Sequence, residues 1–509
     1  MVKNIKGISI KTKIPITIKI YTRKFPAILL LCRTDGMGCR LSSLLTAMYL
    51  SEKLGWKFGF LWDKFFYKYG NDEFMEVPEV DKVFNKDFID KHCYNGAIQL
   101  RHDPTFNPIN IDIAPEVKDY QEIWGNYFNH HTSDSKFLKD ESFKTYIQKA
   151  WKNLPFVDDL KNIIKDIEHL KIKNFIAIHI RNGDVFGKIA LNLGNHPIVY
   201  RMFPLEIALD IIKNNKNAKI ILFSPDGEII SKFAFMLRQK GFEIYTAKDL
   251  ISDYKQQFYN DFAELIFLSY AKRIYRSDAS LYSDLAYYIG NAHSKISIGE
   301  IYSPVKQYEI IINNPVKDIY NNSICKIAIN IYLYLKYYNA QKNIFKYIKD
   351  FLKYLKISEE LEIFFFHRVI LFHLLNSKRY STANLFFKKY CDNVLDMIFF
   401  KGVYISHAYI LDDLKKEILN LIRNSNIYYP FLYKAAYEIS LRDKNYEVAI
   451  DLLKKINKMG IIESKEKIKK HLSYRLGKIF IDNYNFLSFY KIPFLFYKEY
   501  KKYKKEKGI

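Results

Sequence analysis

The stretch Phe175-Ile-Ala-Ile-His-Ile-Arg-Asn-Gly-Asp184 decides the predicted fold of this chain. Its first six, mostly apolar residues are typical of a strand buried on both faces, and a charged turn with a glycine follows at once. A helical pattern over 204–214 and a second apolar strand over 219–224 come next. Strand, turn, helix and strand in this order predict a doubly wound sheet of parallel strands.

A second unit of the same kind precedes this stretch. Residues 25–32 form a short apolar run, a turn containing Gly36 and Gly38 follows, and apolar residues recur with helical spacing over 41–54. A strand predicted at 57–62 completes the unit. We therefore predict an α/β fold with two Rossmann-type domains, over 25–165 and 170–316, after a basic N-terminal extension at 1–24.

Strand patterns end near residue 317, and helical periodicity dominates from there onward. Two segments, 378–390 and 444–456, resemble each other at an offset of 66 residues, with Ala383 matching Ala449. This offset is close to two tetratricopeptide repeats of about 34 residues each. We predict an all-α, tetratricopeptide-like helical-repeat domain over 317–490. A chance likeness between two lysine-rich helices is the alternative.

The composition favours phosphate-bearing partners. Among 509 residues, 79 are Lys or Arg and 55 are Asp or Glu, so the net charge is +24. A chain this basic attracts nucleic acid, nucleotide-sugars or an anionic membrane surface, and solvated lysines without a partner are the alternative. The basic, aromatic tail at 491–509 fits an anionic lipid surface or a plain solvated terminus.

The compartment is predicted from cysteine usage and from the apolar runs. Five cysteines without a Cys-x-x-Cys pair favour neither a disulfide framework nor a thiolate zinc site. No uncharged apolar run approaches the roughly 18 residues of a membrane span. Lysines run through the first 24 residues, where a signal peptide would be apolar. We expect a cytoplasmic protein, either free or peripheral at the inner face of a membrane.

Several polar residues follow predicted strands, where doubly wound sheets bind their ligands. His179 and Arg181 share one side of their strand, and a guanidinium can bind a diphosphate through two parallel hydrogen bonds. Helix capping by Asp226 or Ser280, and ion pairs for Arg181, are the alternatives. The further candidates are Asp184, Ser224, Asp261, Glu264, Ser277, Gly36, Gly38 and Arg40.

The order of these motifs carries a resemblance to a known family. Gly-x-Gly-Cys-Arg-Leu at 36–41, His-Ile-Arg-Asn-Gly-Asp at 179–184, Phe-Ser-Pro-Asp at 223–226 and Ser-Asp-Ala-Ser at 277–280 resemble the fucosyltransferases of the α1,2/α1,6/protein-O type. The resemblance covers roughly residues 25–305. It implies a GT-B fold, transfer of fucose from GDP-fucose with inversion, and no required metal or cofactor.

The resemblance also implies roles for individual residues. Residues 25–165 would form the acceptor side and 170–316 would bind the donor. Arg181 would hold the β-phosphate, with Asp184 as the second catalytic candidate. Asp226 and Asp261 would lie near the guanosine, and Ser280 near the diphosphate. Donor binding is also assigned to His179, Ser224 and Ser277, and cleft lining to Gly36, Gly38 and Arg40.

The chain departs from the family at Asn182, where the family usually carries a second arginine. One donor cation is therefore missing or comes from Arg201 or Lys188. The sugar is left open between fucose and another GDP-linked sugar. Asp184 and Glu206 are weak candidates for a base.

The sequence thus favours a glycosyltransferase that moves a sugar from a GDP-sugar to a glycan acceptor in bacterial surface polysaccharide synthesis. No nucleic-acid partner is expected, because no nucleic-acid-reading motif is present. The alternative is a basic helical-repeat scaffold, bound to a membrane surface or nucleic acid, whose α/β domain is not catalytic.

Overall fold

The computed structural model divides the chain into two compact units, Met1–Lys342 and Asn343–Ile509. The basic extension at 1–24, Asp184 and Lys188 lie outside the described residues. The structure describes residues 28–32, 36–55, 57–62, 64–68, 74–93, 95, 123–126, 142–182, 191, 200–314, 316, 319, 323–338, 352, 355–358, 360–361, 363–398, 411–424, 429–458, 475–476, 479 and 492–507.

The strands of the first unit form two parallel sheets and one hairpin. In the smaller sheet the order is β2-β1-β5, while β3 and β4 pair antiparallel. The strand bounds are β1 Ile28–Cys32, β2 Lys57–Leu61, β3 Phe65–Lys68, β4 Phe74–Val77, β5 Ile123–Asn126, β6 Ile176–His179, β7 Ile220–Phe223, β8 Ile244–Thr246, β9 Arg273–Arg276 and β10 Ser294–Ser297.

The larger sheet has the strand order β10-β9-β6-β7-β8, with every pair parallel. From the central strand β6 the chain adds β7 and β8 on one side and then returns to add β9 and β10 on the other. In this register His179, at the end of β6, lies between Phe223 of β7 and Arg276 of β9. The chain direction across the sheet therefore reverses between β6 and β9, and such a reversal opens a crevice outside the carboxyl ends of the two strands.

The helices of the first unit are amphipathic or fully buried, as the apolar spacing predicts. α4, for example, buries Leu160, Ile163 and Ile167 at intervals of three and four residues, and each such side chain contributes about 1.5–3 kcal/mol. The helix bounds are α1 Met37–Leu54, α2 Lys86–His92, α3 Ser142–Lys152, α4 Asp158–His169, α5 Leu205–Asn214, α6 Gly227–Gln239, α7 Gln257–Leu268, α8 Leu281–Ile289, α9 Ile298–Ile301, α10 Pro304–Asn313 and α11 Ser323–Leu333.

The two sheets share one hydrophobic core, and helices join them directly. α1, which follows β1, packs against α8, which follows β9. A Cβ at Gly38 would lie 3.0 Å from the backbone Cα of Tyr282, so glycine permits this close approach. α3 joins the same helix at its other end, since Gln148 donates a hydrogen bond to the Gly290 carbonyl at 2.6 Å.

The first unit extends beyond residue 316, where the sequence pattern ends the second α/β domain. Tyr332 of α11 donates a buried hydrogen bond to Gln307 of α10. Lys336, just after α11, forms an ion pair with Asp278 at 2.8 Å. These contacts bind α11 to the sheet-bearing part, whereas helical periodicity alone groups it with the helices that follow.

The described secondary-structure elements of the second unit are all helices, and two of its helix pairs have matching turns. Lys378, between α12 and α13, and Lys444, between α15 and α16, have positive φ angles of 58° and 59°. Ala383 and Ala449 are buried at equivalent places in the second helix of each pair. The tetratricopeptide assignment itself stays a prediction. The helix bounds are α12 Phe365–Asn376, α13 Tyr380–Ile398, α14 Leu411–Asn424, α15 Pro430–Arg442, α16 Tyr446–Lys458 and α17 Ile492–Lys507.

Candidate functional site

The reversal between β6 and β9 brings two of the predicted motifs together. Arg181 lies two residues beyond the end of β6 and is partly exposed. Ser277 and Ser280 lie in the loop between β9 and α8, which follows the neighbouring strand. Ligands of doubly wound folds bind at this edge. The candidate site is therefore the crevice formed by the ends of β6 and β9 and by the start of α8.

His179 is buried at the base of this crevice and is held by two serines. Its Nδ1 lies 2.6 Å from the Ser283 hydroxyl and 3.2 Å from the Ser280 hydroxyl. The two hydroxyls are also within hydrogen-bond distance of each other, at 3.1 Å. The imidazole ring lies against the Tyr282 ring, with 5.4 Å between their centroids. This network fixes the end of β6 to the first turn of α8.

The first turn of α8 presents backbone N–H groups toward the crevice. Ser280 is its N-cap and accepts a hydrogen bond from the Ser283 N–H at 3.4 Å. Ser277 is fully buried, and its hydroxyl has no hydrogen-bond partner among the described residues. A helix N-terminus with a neutral cap favours an anion, because the exposed N–H groups and the helix dipole carry partial positive charge.

Asn182 and the segment 200–203 close one side of the crevice. Asn182 is buried, and its Oδ1 accepts a hydrogen bond from the Phe203 N–H at 3.2 Å. Its Nδ2 has no partner within the part of the chain that the structure describes. The Ala279 N–H donates to the Tyr200 carbonyl at 2.7 Å. Arg201, partly exposed, therefore lies in a segment anchored to both loops that carry Arg181 and Ser280.

Asp226 and Ser224 lie at the end of β7, one strand away from the crevice. Asp226 caps α6 by accepting a hydrogen bond from the Ile229 N–H at 3.0 Å. The Ser224 hydroxyl accepts from the Asp226 N–H at 3.2 Å. Burial raises the pKa of the Asp226 carboxyl, and the cap hydrogen bond partly offsets this effect. Asp226 thus serves the capping role that the sequence left as an alternative, with its second oxygen available for other contacts.

Two acids of α7 lie beside α8. Asp261 accepts a hydrogen bond from Gln257 at 2.6 Å, and its backbone carbonyl accepts one from the Tyr282 hydroxyl. The pKa of Glu264 is raised to about 8, mainly by burial and to a lesser extent by the Asp261 charge, while Lys248 acts in the opposite direction. Burial also raises the pKa of Tyr282 well above its usual value, and both acids add to this shift.

Of the residues predicted to line the cleft from the first domain, Gly38 lies at the contact between the two lobes. Gly36 is the N-cap of α1, and Gly38 packs against Tyr282. Arg40 is buried in the first lobe, with its guanidinium 5.3 Å from the centroid of the Trp62 ring. Their assignment to donor or acceptor contacts stays a prediction.

Glu206, a weak base candidate, lies in the first turn of α5. Its carboxyl is buried and accepts hydrogen bonds from its own backbone N–H and from that of Val316, while burial raises its pKa to about 7. The contact with Val316 gives this carboxyl a structural role in holding the segment after α10. The second base candidate, Asp184, lies outside the described residues.

Three residues that the structure places at the site have no role in the sequence prediction. Ser283 and Tyr282 contact His179, and Lys248 lies beside Gly227 at the start of α6. The spacing of Ser283 three residues after Ser280 is a capping pattern, so this signal was present in the sequence. Lys248 has no comparable signal, because only the fold brings β8 next to β7.

The arrangement is suited to binding an anion next to the acidic side chains of Asp226, Asp261 and Glu264. No group of three or more metal-ligating side chains occurs among the described residues. Within the same residues, no helix combines the length and apolarity needed to cross a bilayer.

No family model and no curated protein matches the chain. Solved structures of POFUT1 match part of the chain. One in complex with GDP-fucose is 11% identical, covering 55% of this chain and 99% of its own, with a TM-score of 0.30. One in complex with GDP is 12% identical, covering 54% and 98%, with a TM-score of 0.31. An apo form is 10% identical, covering 53% and 96%, with a TM-score of 0.29.

Proposed function

We propose that this chain is an inverting, metal-independent glycosyltransferase that moves fucose from GDP-fucose to a glycan acceptor. One observation carries the proposal: Arg181 and the N-terminus of α8 follow the two neighbouring strands, β6 and β9, between which the sheet order reverses. This is the position at which doubly wound sheets bind nucleotides. The two sheets would then form the two Rossmann domains of a GT-B enzyme.

The diphosphate would lie between Arg181 and the first turn of α8. A guanidinium binds phosphate oxygens through two parallel hydrogen bonds, and the helix N–H groups add partial positive charge. The buried Ser277 hydroxyl, which has no partner among the described residues, is a further donor. Arg201 would supply the second cation that Asn182 does not, because the hydrogen bonds of Asn182 and Ala279 hold its segment at this edge.

The guanosine would lie toward β7 and α7. Asp226 has one carboxylate oxygen beyond its cap hydrogen bond, which suits a ribose hydroxyl. Guanine presents N–H donors on its pairing edge, and Asp261 and Glu264 are carboxyl groups that can accept from them. A base that presented acceptors to the Asp261 carboxylate would gain no hydrogen bond there, which favours guanine.

The reaction needs a stabilised leaving group more than any covalent chemistry by the protein. The acceptor hydroxyl oxygen would bond to the anomeric carbon as the bond from that carbon to the β-phosphate oxygen breaks. GDP would leave with the electron pair, and Arg181 and α8 would stabilise the added charge. The hydroxyl proton would pass to a base, for which we propose Asp184.

A non-catalytic scaffold is the second candidate, and the buried Asn182 favours it. Its hydrogen bond with Phe203 supports a packing role at the position where the resembled family usually carries a second arginine. In that case the second unit, as a tetratricopeptide-like helical repeat, would carry the function. In the enzymatic case we propose that the same helices bind the acceptor or a partner enzyme in cytoplasmic synthesis of a bacterial surface polysaccharide.

The test is calorimetry with GDP, followed by donor hydrolysis and transfer assays on a panel of nucleotide-sugars. Arg181→Ala is expected to reduce turnover by about a hundredfold or more, as loss of a transition-state charge contact does. Arg181→Lys should restore only part of it, because an ammonium cannot bind two oxygens in parallel.

The matched control is Arg273→Ala, which removes an arginine from the opposite, amino end of β9. It should leave GDP affinity and turnover unchanged. Selective binding of GDP without turnover of any donor would favour the scaffold. No selective binding of GDP, or full turnover by Arg181→Ala, would overturn the enzymatic proposal.

A further inference from the structure

The helix α17, in the second unit, has one face that is both strongly basic and aromatic. It spans 16 residues, which corresponds to a length of about 24 Å. Tyr497, Tyr500, Lys501 and Lys504 follow the spacing i, i+3, i+4 and i+7, so they form one stripe along the helix. All four side chains are exposed, and the two tyrosines are 57% and 44% exposed. We call this stripe, together with the exposed Lys498 and Lys502, the basic aromatic face.

The charges of α17 are separated between its two sides. Over 495–504, where exposure is described, the basic aromatic face contains four lysines and no acid. Glu499 lies on the opposite, partly buried side and forms an ion pair with Arg475 at 3.1 Å. The helix is therefore attached to its own unit through the side that carries Glu499, while the positive charge of the basic aromatic face is not balanced by an acid on that face.

We propose that the basic aromatic face binds an anionic lipid surface, with the helix lying in the plane of the headgroups. Tyrosine rings favour the headgroup level, and each nearby lysine adds electrostatic attraction to anionic lipids. Charge complementarity selects a surface rich in acidic lipid. The binding does not depend on the proposed sugar transfer.

Two features favour lipid over nucleic acid as the occupant. Lys501 lies 4.9 Å from the centroid of the Tyr497 ring, and Lys504 lies 5.6 Å from that of Tyr500. These ammonium groups cover ring faces on which a base would have to stack. The exposed cations over 495–504 are all lysines. Arginine, which binds phosphate and bases with a planar fork, is the usual residue of nucleic-acid surfaces.

The experiment is co-sedimentation of the full chain with vesicles of phosphatidylcholine alone or of equal parts phosphatidylcholine and phosphatidylglycerol. We expect binding to the anionic vesicles only, and release by salt. The double variant Lys501→Gln with Lys504→Gln should weaken the partition coefficient about 25-fold, since each lysine near the surface contributes about fivefold.

The matched control removes two exposed lysines of the first unit, Lys216→Gln with Lys240→Gln. It has the same net charge as the test variant and should bind like the wild type. Equal weakening by both variants would show attraction by total charge and overturn the proposal.

A third variant, Tyr497→Ser with Tyr500→Ser, leaves the charge unchanged. It should weaken binding to the anionic vesicles at low salt, because the rings supply the apolar contact that adds to the attraction of the lysines. Absence of binding to either vesicle overturns the proposal. So does binding to single-stranded RNA that depends on Lys501 and Lys504 while the vesicles stay unbound, and that outcome identifies a nucleic-acid surface.

Discussion

The ends of β7 and β9 have the same architecture, but the residues that cap the helices after them differ in charge. At each, a polar residue of the sheet edge caps the helix that follows: Asp226 caps α6 and Ser280 caps α8. The cap of α6 is a carboxylate that accepts from Ile229. The cap of α8 is a hydroxyl shared with His179. One helix start is therefore already occupied by an anion, and the other presents a neutral cap.

For the donor proposed above, this difference favours separate places on the sheet for the two halves of the nucleotide. A carboxylate at α6 repels a phosphate but accepts hydrogen bonds from a ribose or a base. A hydroxyl at α8 leaves the N–H groups and the helix dipole to attract a phosphate. The proposed donor thus has its diphosphate over β6 and β9 and its nucleoside toward β7. Exchanging the cap residues of α6 and α8 should therefore exchange which helix start repels a phosphate and which attracts one.

The largest effect is expected from Ser280→Asp, which gives α8 an acidic cap. A carboxylate about 5 Å from a phosphate costs about 3 kcal/mol at an effective dielectric constant of about 20. GDP affinity should therefore fall by about a hundredfold or more, while guanosine affinity stays unchanged. Titration calorimetry with both ligands measures the two effects.

Ser280→Asp also has a built-in control, because aspartate and serine are comparable helix caps. The melting temperature should fall, because the new carboxylate is buried beside His179, and unchanged guanosine affinity then shows that the rest of the site is intact. An equal loss of guanosine affinity would mean that the diphosphate does not lie at α8.

The next effect concerns the glycines that begin α1 and α6. Gly38→Ala places a Cβ 3.0 Å from the Tyr282 backbone, which cannot move without moving α8. Overpacking of this kind costs about 1–3 kcal/mol. Denaturant unfolding should show this loss.

Gly227→Ala is the matched control, since its Cβ would meet only the Lys248 Nζ, at the end of a flexible side chain. It should leave the free energy of unfolding nearly unchanged. A comparable loss in both variants would show that the contact between α1 and α8 is not tight.

The sequence predicted the strand ends of the larger sheet because parallel strands are continuous apolar runs, and the polar residues after them are easily seen. The order of those strands was not predictable, since it depends on pairings between β6, β7 and β9 that are distant in sequence. The sequence predicts Arg181 and Ser280 at the carboxyl edge of one sheet, but only the structure shows that their strands are neighbours at the reversal.

Burial was the second limit of the sequence prediction. Arg40 follows a glycine turn and is predicted to line the cleft, and that role stays a prediction. Nothing in the sequence indicates that its side chain is buried against Trp62, because charged residues are rarely buried to this extent. In the second unit the sequence was more informative. The two segments that resemble each other at an offset of 66 residues both contain a lysine, Lys378 or Lys444, whose backbone is in the left-handed conformation.

A smaller effect on the free energy of unfolding is expected from a change in pH, through the protonation of Glu264. Its pKa in the folded protein is raised from 4.5 to about 8, so the folded state holds a proton that the unfolded state releases. The free energy of unfolding should therefore fall as the pH rises from 4.5 to 8. Glu264→Gln should remove this dependence, which chemical denaturation across that range would measure.

The same carboxyl links ligand binding to pH on the nucleoside side of the site. If guanine donates to the carboxylate form, GDP and guanosine should both bind about fivefold more tightly at pH 8 than at pH 7. Calorimetry in two buffers with different ionisation enthalpies should detect the released proton. A pH effect confined to GDP would place Glu264 beside the diphosphate instead.

The smallest effect is expected from Asp226→Ser, the exchange opposite to Ser280→Asp. Serine retains the cap of α6, so stability should be nearly unchanged. Loss of one hydrogen bond to the ribose should weaken GDP and guanosine alike, by about threefold. Equal factors for the two ligands would confirm that the end of β7 binds the nucleoside. Tighter GDP binding with unchanged guanosine binding would mean that the Asp226 charge lies next to the diphosphate, and the two ends of the sheet would no longer differ in their ligands.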